Sequence, residues 1–357
     1  MGQGVKHKDV SEVPLFFIIG RPRSGTTLLR MLFEAHPNVL VPPESPFIII
    51  LYKKYGHISF WDEPMIREFV DDIFKVRYFD KWLISKESLV ISLLEIKGER
   101  TFEEMVKQVC LSYQSLYDKQ EILMLGDKNP ANSLHINRIH KLFPGSKIIH
   151  IRRDYRDNYL SLTNVNFEVP IVPLVIYRWK FNLKLAMNLQ KRHPDKVYSL
   201  RYEDLASRPE EEFGKICRFL GIDFDPKVMS FYEKKEEAGK AYANANELLV
   251  VHKSLFEPIT TNRTELWKKD MEQRDIRIAD LVVGKMADEA GYQRQYPKFK
   301  LGLYLWIMPT LLYASLMYHM ILLGERLPYS LRNKLGQFLG IFLKVYWKIN
   351  KRNVKPL

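Results

Sequence analysis

The stretch Leu15-Phe16-Phe17-Ile18-Ile19-Gly20-Arg21-Pro22-Arg23-Ser24-Gly25-Thr26-Thr27 constrains this chain more than any other. A continuous apolar run that ends at a glycine turn fits a parallel strand buried on both faces. Leu28, Leu29, Leu32 and Phe33 then recur at helical spacing until Pro37 stops the pattern. A strand that enters a helix through such a loop points backbone N–H groups and a helix N-terminus at one spot, which suits an anion. The spacing Gly20-x-x-x-x-Gly25-x-Thr27 fits the loop that cradles nucleoside triphosphates, yet Thr26 stands where that loop carries its lysine. That lysine bridges the outer phosphates, so its replacement argues against a triphosphate ligand. Arg23, with Arg21 beside it, offers forked cations instead, and Ser24, Thr26 and Thr27 offer hydroxyls around Gly25.

Three later apolar runs lie in EILMLGDKNP, SKIIHIRRDYRDNYLSL and KVYSLRYEDL, and each leads into a polar turn. Helical segments between them are long enough for crossovers, so the chain reads as α/β with a P-loop type parallel central sheet flanked by helices. Ligands of such sheets bind at the carboxyl ends of the strands. From about Met65 to Tyr117 the pattern is mainly helical and carries little chemistry, and there is no solenoid-period repeat.

The balance of 55 basic against 42 acidic residues, a formal net charge of +13, creates a field that attracts anions without choosing among them. Cys110 and Cys217 have no metal-like spacing, so neither a zinc site nor a disulfide framework is expected and a reducing compartment fits better. The polar N-terminus has no apolar run before the first strand, so we expect no cleaved secretory signal and a cytoplasmic site of action. Gly2 does not read as a myristoylation site, because Lys6 stands where that signal has Ser or Thr.

The segment GRPRSGTTLLRMLFEAHPNV resembles the 5'-phosphosulfate loop of the sulfotransferases, closest in pattern to the tyrosylprotein branch. The resemblance covers roughly residues 14 to 296. It implies 3'-phosphoadenosine 5'-phosphosulfate (PAPS) as donor substrate, whose reactive end is a single phosphate bearing a sulfuryl group, and it implies no metal. IRRDYRDNYLSL resembles the family's 3'-phosphate element, which implicates Arg153 and Ser161; Asp154 is placed to start the intervening helix, and Arg152 and Arg156 are the competing contacts. RYEDL resembles the segment whose tyrosine touches the nucleotide, which implicates Tyr202. Residues 252–269, HKSLFEPITTNRTELWKK, resemble the loop that closes over the nucleotide. There the chain departs from the tyrosylprotein pattern: Val251 falls where a catalytic serine is expected, leaving Ser254, His252 and Lys253 as substitutes.

The resemblance also places Glu44, in VPPESPF, at the position of the catalytic carboxylate, where prolines, Phe47 and isoleucines would desolvate it and strengthen it as a base. His36 is the competing base. Lys128 in GDKNP matches the lysine that stabilises the leaving phosphate, with Asp127 as its expected orienting partner. Two readings compete with a sulfotransferase: a P-loop kinase or NTPase, and a catalytically inactive, membrane-bound nucleotide-binding scaffold.

Near Tyr296-Pro297 the chain changes character, giving an expected sulfotransferase domain over 1–300 and a membrane-associating helical segment over 301–357. The apolar stretch Leu301–Leu323 is long enough to cross a bilayer, with Tyr304, Trp306 and Tyr318 as interfacial anchors. Lys298, Lys300, Lys334 and Lys344 flank both ends, however, and Pro309 weakens a single span. Leu331, Leu335, Phe338, Phe342, Tyr346 and Ile349 then share a helical face opposite Arg332, Lys334, Lys344 and Lys348. We therefore expect a membrane-dipping hairpin or interfacial helix pair at the cytoplasmic leaflet; the alternative is a helix pair packed on the enzyme or in a homodimer. Where the tyrosylprotein branch has basic residues after its glutamate, this chain has Ser45-Pro46-Phe47-Ile48-Ile49-Ile50. An apolar acceptor surface follows, with a lipid, sterol or glycan hydroxyl as acceptor and no nucleic acid.

Overall fold

The computed structural model describes residues 9–163, 165, 168–234, 257–324, 327 and 331. The readings at Gly2 and Lys6, at residues 251–254, and along the tail from Arg332 lie outside the described residues. The first apolar run is strand β1 (Leu15–Gly20), which turns through the loop into α1 (Thr26–Ala35) and then the short strand β2 (Val39–Leu40). An α-helical stretch follows: α2 (Phe47–Tyr55), α3 (Glu63–Phe74), α4 (Lys86–Leu94) and α5 (Phe102–Leu111). It is interrupted by a small antiparallel pair, β3 (Phe60–Trp61) and β4 (Gly98–Glu99), that the periodicity does not show. Strand β5 (Met124–Lys128) then leads through α6 (Ile136–Leu142) to β6 (Lys147–Arg152), and α7 (Tyr155–Thr163) and α8 (Val172–Arg192) to β7 (Val197–Arg201). Two helices, α9 (Tyr202–Ser207) and α10 (Pro209–Leu220), follow directly.

Five of these strands form one parallel sheet in the order β2-β5-β1-β6-β7, the α/β architecture expected. The chain builds first to one side of β1 and then to the other, so the crevice above the carboxyl end of β1 is the topological switch point. Phe16 and Ile18 face a core shared with Leu29 and Phe33 of α1 and Phe213 of α10, while Leu15, Phe17 and Ile19 face a second core built by α2 to α6. Cover on both faces is why β1 reads as a continuous apolar run instead of an alternating one. A third core gathers Tyr155, Trp179, Trp267 and the helix Gln273–Val283.

The chain divides into two compact units, residues 1–314 and 315–357. In the first unit Ile307 is buried in the third core, with Leu303 and Leu311 packed around it. These residues belong to one helix, Leu301–Gly324, which continues past Pro309.

Candidate active site

The loop after β1 is built for close approach. A Cβ on Gly20 would come within 2.3 Å of the Ile151 carbonyl oxygen, and one on Gly25 within 2.6 Å of Tyr202 Cδ2. Gly25 also has φ +95°, a left-handed conformation that side chains resist, and it starts α1 with no side-chain cap. Arg23 is itself left-handed at φ 68°, a conformation that a non-glycine residue holds only when its surroundings impose it. Those surroundings come from α7: Asn158 Nδ2 donates to the Pro22 carbonyl at 2.8 Å and to Ser24 Oγ at 3.2 Å, and Arg23 Nε donates to Ser161 Oγ at 3.0 Å. Ser24 and Thr26 are buried and Thr27 is half-buried in this turn. Gly25→Ala is expected to lower stability by roughly 1–3 kcal/mol through strain alone, and to abolish nucleotide binding; a denaturant titration alongside a binding isotherm checks both.

The three arginines between the end of β6 and the first turn of α7 have different partners. Arg152 Nε donates to the Ala290 carbonyl at 3.3 Å, and Arg156 pairs with Asp154 at 2.7 Å while lying 3.4 Å from the Trp267 ring centroid. Both are committed to the fold. Arg153 instead reaches the loop: Nη1 donates to the Arg23 carbonyl at 3.2 Å, Nη2 donates to the Arg263 carbonyl, and its guanidinium lies 5.2 Å from the Tyr202 ring. Its Nε is buried with no hydrogen-bond partner among the described residues. Asp154 does start α7, accepting from the Arg156 N–H at 2.8 Å.

Arg23, Arg153, Ser161 and Tyr202, drawn from four separate segments, thus meet around the loop. Arg263 joins them from a neighbouring segment. Asp157 holds that segment by accepting from the Glu265 and Trp267 N–H groups at 2.7 and 2.9 Å. Burial, and then the charges of Arg153 and Arg263, push the Arg23 guanidinium below its ordinary pKa. Three cations brought this close repel one another, and a bound anion relieves the repulsion. Arg263 was not singled out from sequence; its place in the TNRTELW segment, just before the tryptophan, was the available signal.

Arg21 departs from the expected phosphate contact. Its guanidinium is buried in an ion pair with Glu168, whose other oxygen lies 3.6 Å from Arg178. These two cations hold Glu168 below the usual carboxylate range even though burial alone would raise it. Arg21 is therefore committed to anchoring the segment after α7.

On the other flank of β1, Lys128 ends β5 beside Ile18. Its ammonium donates to Glu44 Oε2 at 2.9 Å. The Glu44 side chain is 30% exposed and Lys128 6%, so Glu44 is not in the dry apolar setting expected but at the open end of an ion pair. The loop that carries it is held from α1: Arg30 Nε donates to the Val41 and Pro42 carbonyls at 2.9 and 3.0 Å, and buried Glu34 accepts from the Val41 N–H at 2.6 Å. Asn129 Nδ2 adds a third tie, to the Ser45 carbonyl at 3.1 Å.

Asp127 does not orient Lys128. It is buried and accepts from Asn129 and Asn132 at 2.7 and 2.9 Å, because successive residues of a strand point to opposite faces. Burial pushes its carboxyl up to about 7, against the Asn129 hydrogen bond and with the help of the Glu44 charge. The folded state thus holds a proton here that the unfolded chain releases near pH 4. Its contribution to stability is full below that pH and is lost as the pH rises through about 7. Asp127→Asn should flatten the stability profile across this window, which denaturant midpoints at pH 5, 6, 7 and 8 will read.

His36 is not a base. Its Nδ1 accepts from the Asn38 N–H at 3.2 Å and its Nε2 donates to the Asp223 carbonyl at 2.9 Å, so the neutral ring is fully used. Burial lowers its pKa and reinforces that state.

A model described as the Sulfotransferase family matches residues 14–226. The Drosophila melanogaster protein-tyrosine sulfotransferase is 27% identical over 230 residues, covering 62% of this chain and 41% of the fly protein. The chain thus spans less than half the length of that relative. The nodulation protein NoeE of Sinorhizobium fredii is 25% identical over 80% of this chain and 68% of its own length. The omega-hydroxy-beta-dihydromenaquinone-9 sulfotransferase Stf3 of Mycobacterium tuberculosis is 24% identical over 83% of this chain and 80% of its own. Among solved structures, the sulfotransferase domain of the Synechococcus PCC 7002 olefin synthase aligns with a TM-score of 0.53 at 20% identity, covering 82% of this chain and 99% of that domain, a likeness of fold. With the family model matching more than half of its residues, including the glycine loop, Glu44, Lys128, Arg153, Ser161 and Tyr202, the chain belongs to the sulfotransferase family.

Proposed function

We propose that the chain transfers a sulfuryl group from PAPS to the hydroxyl of a lipid, sterol or glycan acceptor. One observation carries the reading. The hydrogen bond from Arg23 to Ser161 ties the glycine loop to the Arg153 cluster on one side of β1, while the Glu44–Lys128 pair stands on the other. A nucleotide with a 5'-phosphosulfate and a 3'-phosphate has two anionic ends, and this arrangement offers a donor cluster to each. The loop amides at Gly25, Thr26 and Thr27, with Ser24, take the 5' end. Arg153, Ser161, Arg23 and Arg263 take the 3'-phosphate, with Tyr202 packed beneath.

In the transfer, Glu44 takes the acceptor hydroxyl proton as the acceptor oxygen forms a bond to sulfur. The bond from sulfur to the 5'-phosphate oxygen breaks, and its electron pair leaves with adenosine 3',5'-bisphosphate. Lys128, in register with Ile18 two residues before the loop begins, holds that departing charge in this reading. The hydrogen bond from Lys128 aims the Glu44 carboxylate before the acceptor arrives.

The segment after Glu44 does not form the apolar acceptor surface expected, because Phe47, Ile48, Ile49 and Leu51 are buried in the core; the acceptor reading rests on the apolar helix Leu301–Gly324. It is also supported by Stf3, whose name gives a hydroxylated menaquinone as its substrate. We place the enzyme at the cytoplasmic face of a membrane, held there peripherally or monotopically. Incubating the full chain with sulfur-labelled PAPS and a total cell extract should move label into the solvent-extractable fraction. Label found only in protein would contradict the acceptor assignment, and no label above the enzyme-free control would contradict the activity.

A further inference from the structure

The helix Leu301–Gly324 is apolar on every side yet only 17% of its most apolar 18-residue window is buried. Within the first compact unit its faces divide cleanly. Leu303, Ile307 and Leu311 form a stripe at four-residue spacing that packs with the third core. On the opposite side Leu301, Leu305, Met308 and Leu312 are exposed, Leu305 by 52% and Leu312 by 62%. At the margins Trp306 lies under Arg274 at 4.7 Å, Phe299 packs against Tyr304 at 5.4 Å, and Arg277 lies over Tyr296 at 4.8 Å. Arg274, Arg277, Lys298 and Lys300 are exposed around this rim and outnumber the neighbouring acids Glu272 and Asp275.

We propose that this helix lies in the plane of an anionic bilayer rather than crossing it. The Leu301-Leu305-Met308-Leu312 face rests at the boundary of headgroups and acyl chains, and the rim of arginines and lysines meets lipid phosphates. This deepens the membrane reading made above and rests on it. About 36 Å of helix is enough to cross a hydrocarbon core of about 30 Å. An upright crossing, however, would carry the part of the catalytic unit docked on Leu303, Ile307 and Leu311 into the hydrocarbon with it. That docked part includes charged Arg274 and Arg277, whose burial in lipid is costly. Over its docked part, residues 301–314, an in-plane helix meets neither conflict: the inner stripe stays on the enzyme, the outer face leaves water, and Tyr304 and Trp306 occupy the interface they favour.

The test uses the full chain with Leu305→Cys or Leu312→Cys, each labelled with an environment-sensitive fluorophore; the native Cys110 and Cys217 are buried and do not compete. Phosphatidylcholine vesicles with and without phosphatidylglycerol carry quenchers at shallow or deep positions. The proposal expects co-flotation that depends on the anionic lipid, equal shallow quenching at both positions, and loss of most binding in the quadruple variant Arg274→Ser, Arg277→Ser, Lys298→Ser, Lys300→Ser. A label at Leu312→Cys about 10 Å deeper than at Leu305→Cys overturns it in favour of a crossing helix. A concentration-dependent doubling of mass that shields both labels without vesicles overturns it in favour of a second copy on this face. No co-flotation under any condition overturns it together with the membrane reading. Binding of adenosine 3',5'-bisphosphate by the same samples is a separate readout, so the sulfotransferase reading stands or falls independently.

Discussion

Glu44→Gln should reduce turnover by about 10²- to 10⁴-fold, the usual worth of a positioned general base, while leaving nucleotide affinity within about twofold. The amide is isosteric and keeps contact with Lys128, and the loop carrying residue 44 stays tied by Arg30, Glu34 and Asn129, so the backbone should not move. Only the capacity to take a proton is lost. The effect should fall on kcat and on kcat/KM alike, as expected for an interaction made in the transition state. Full turnover by Glu44→Gln would show that the base lies elsewhere. A large fall in nucleotide affinity would show instead that the ion pair with Lys128 helps form the donor site.

Arg153→Ala should weaken binding of adenosine 3',5'-bisphosphate by about 10- to 100-fold, the scale of a lost charge-assisted hydrogen bond. Binding of adenosine 5'-monophosphate, which lacks the 3'-phosphate, should change much less. That selectivity separates a phosphate contact from general damage, which matters because Arg153 also donates to the Arg23 and Arg263 carbonyls. Arg153→Lys serves as the control: it keeps the charge and gives up the fork, and should recover part of the affinity. Equal losses for both nucleotides in Arg153→Ala would reassign Arg153 to loop support.

The α/β layout was legible because β1 and β6 are mainly apolar runs ending in a polar turn, the pattern of covered parallel strands, and β5 and β7 repeat it more weakly, with Gly126 and Asp127 in one and Ser199 in the other. The paired strands at Phe60–Trp61 and Gly98–Glu99 were not legible, since two residues each leave no periodicity to read. At the site, the loop and the Arg153 segment could be found because local spacing encodes them. Which arginine faces the ligand could not: Arg152 and Arg153 differ in partners supplied by distant Ala290, Arg23 and Arg263, and Arg156 adds distant Trp267 to its local partner Asp154. The same limit explains Arg21, whose partner Glu168 is far along the chain, and Asp127, whose strand neighbour Lys128 points to the opposite face. His36 illustrates it again: its neighbouring Pro37 could be read directly, but its Asp223 partner could not.

The account rests on one nucleotide being held at both of its phosphates, and calorimetry of the wild-type chain with three ligands tests this most directly. Adenosine 3',5'-bisphosphate should bind at least tenfold more tightly than adenosine 5'-monophosphate and more tightly than ATP with magnesium. ATP binding as tightly as the bisphosphate, with no advantage from a 3'-phosphate, would contradict it.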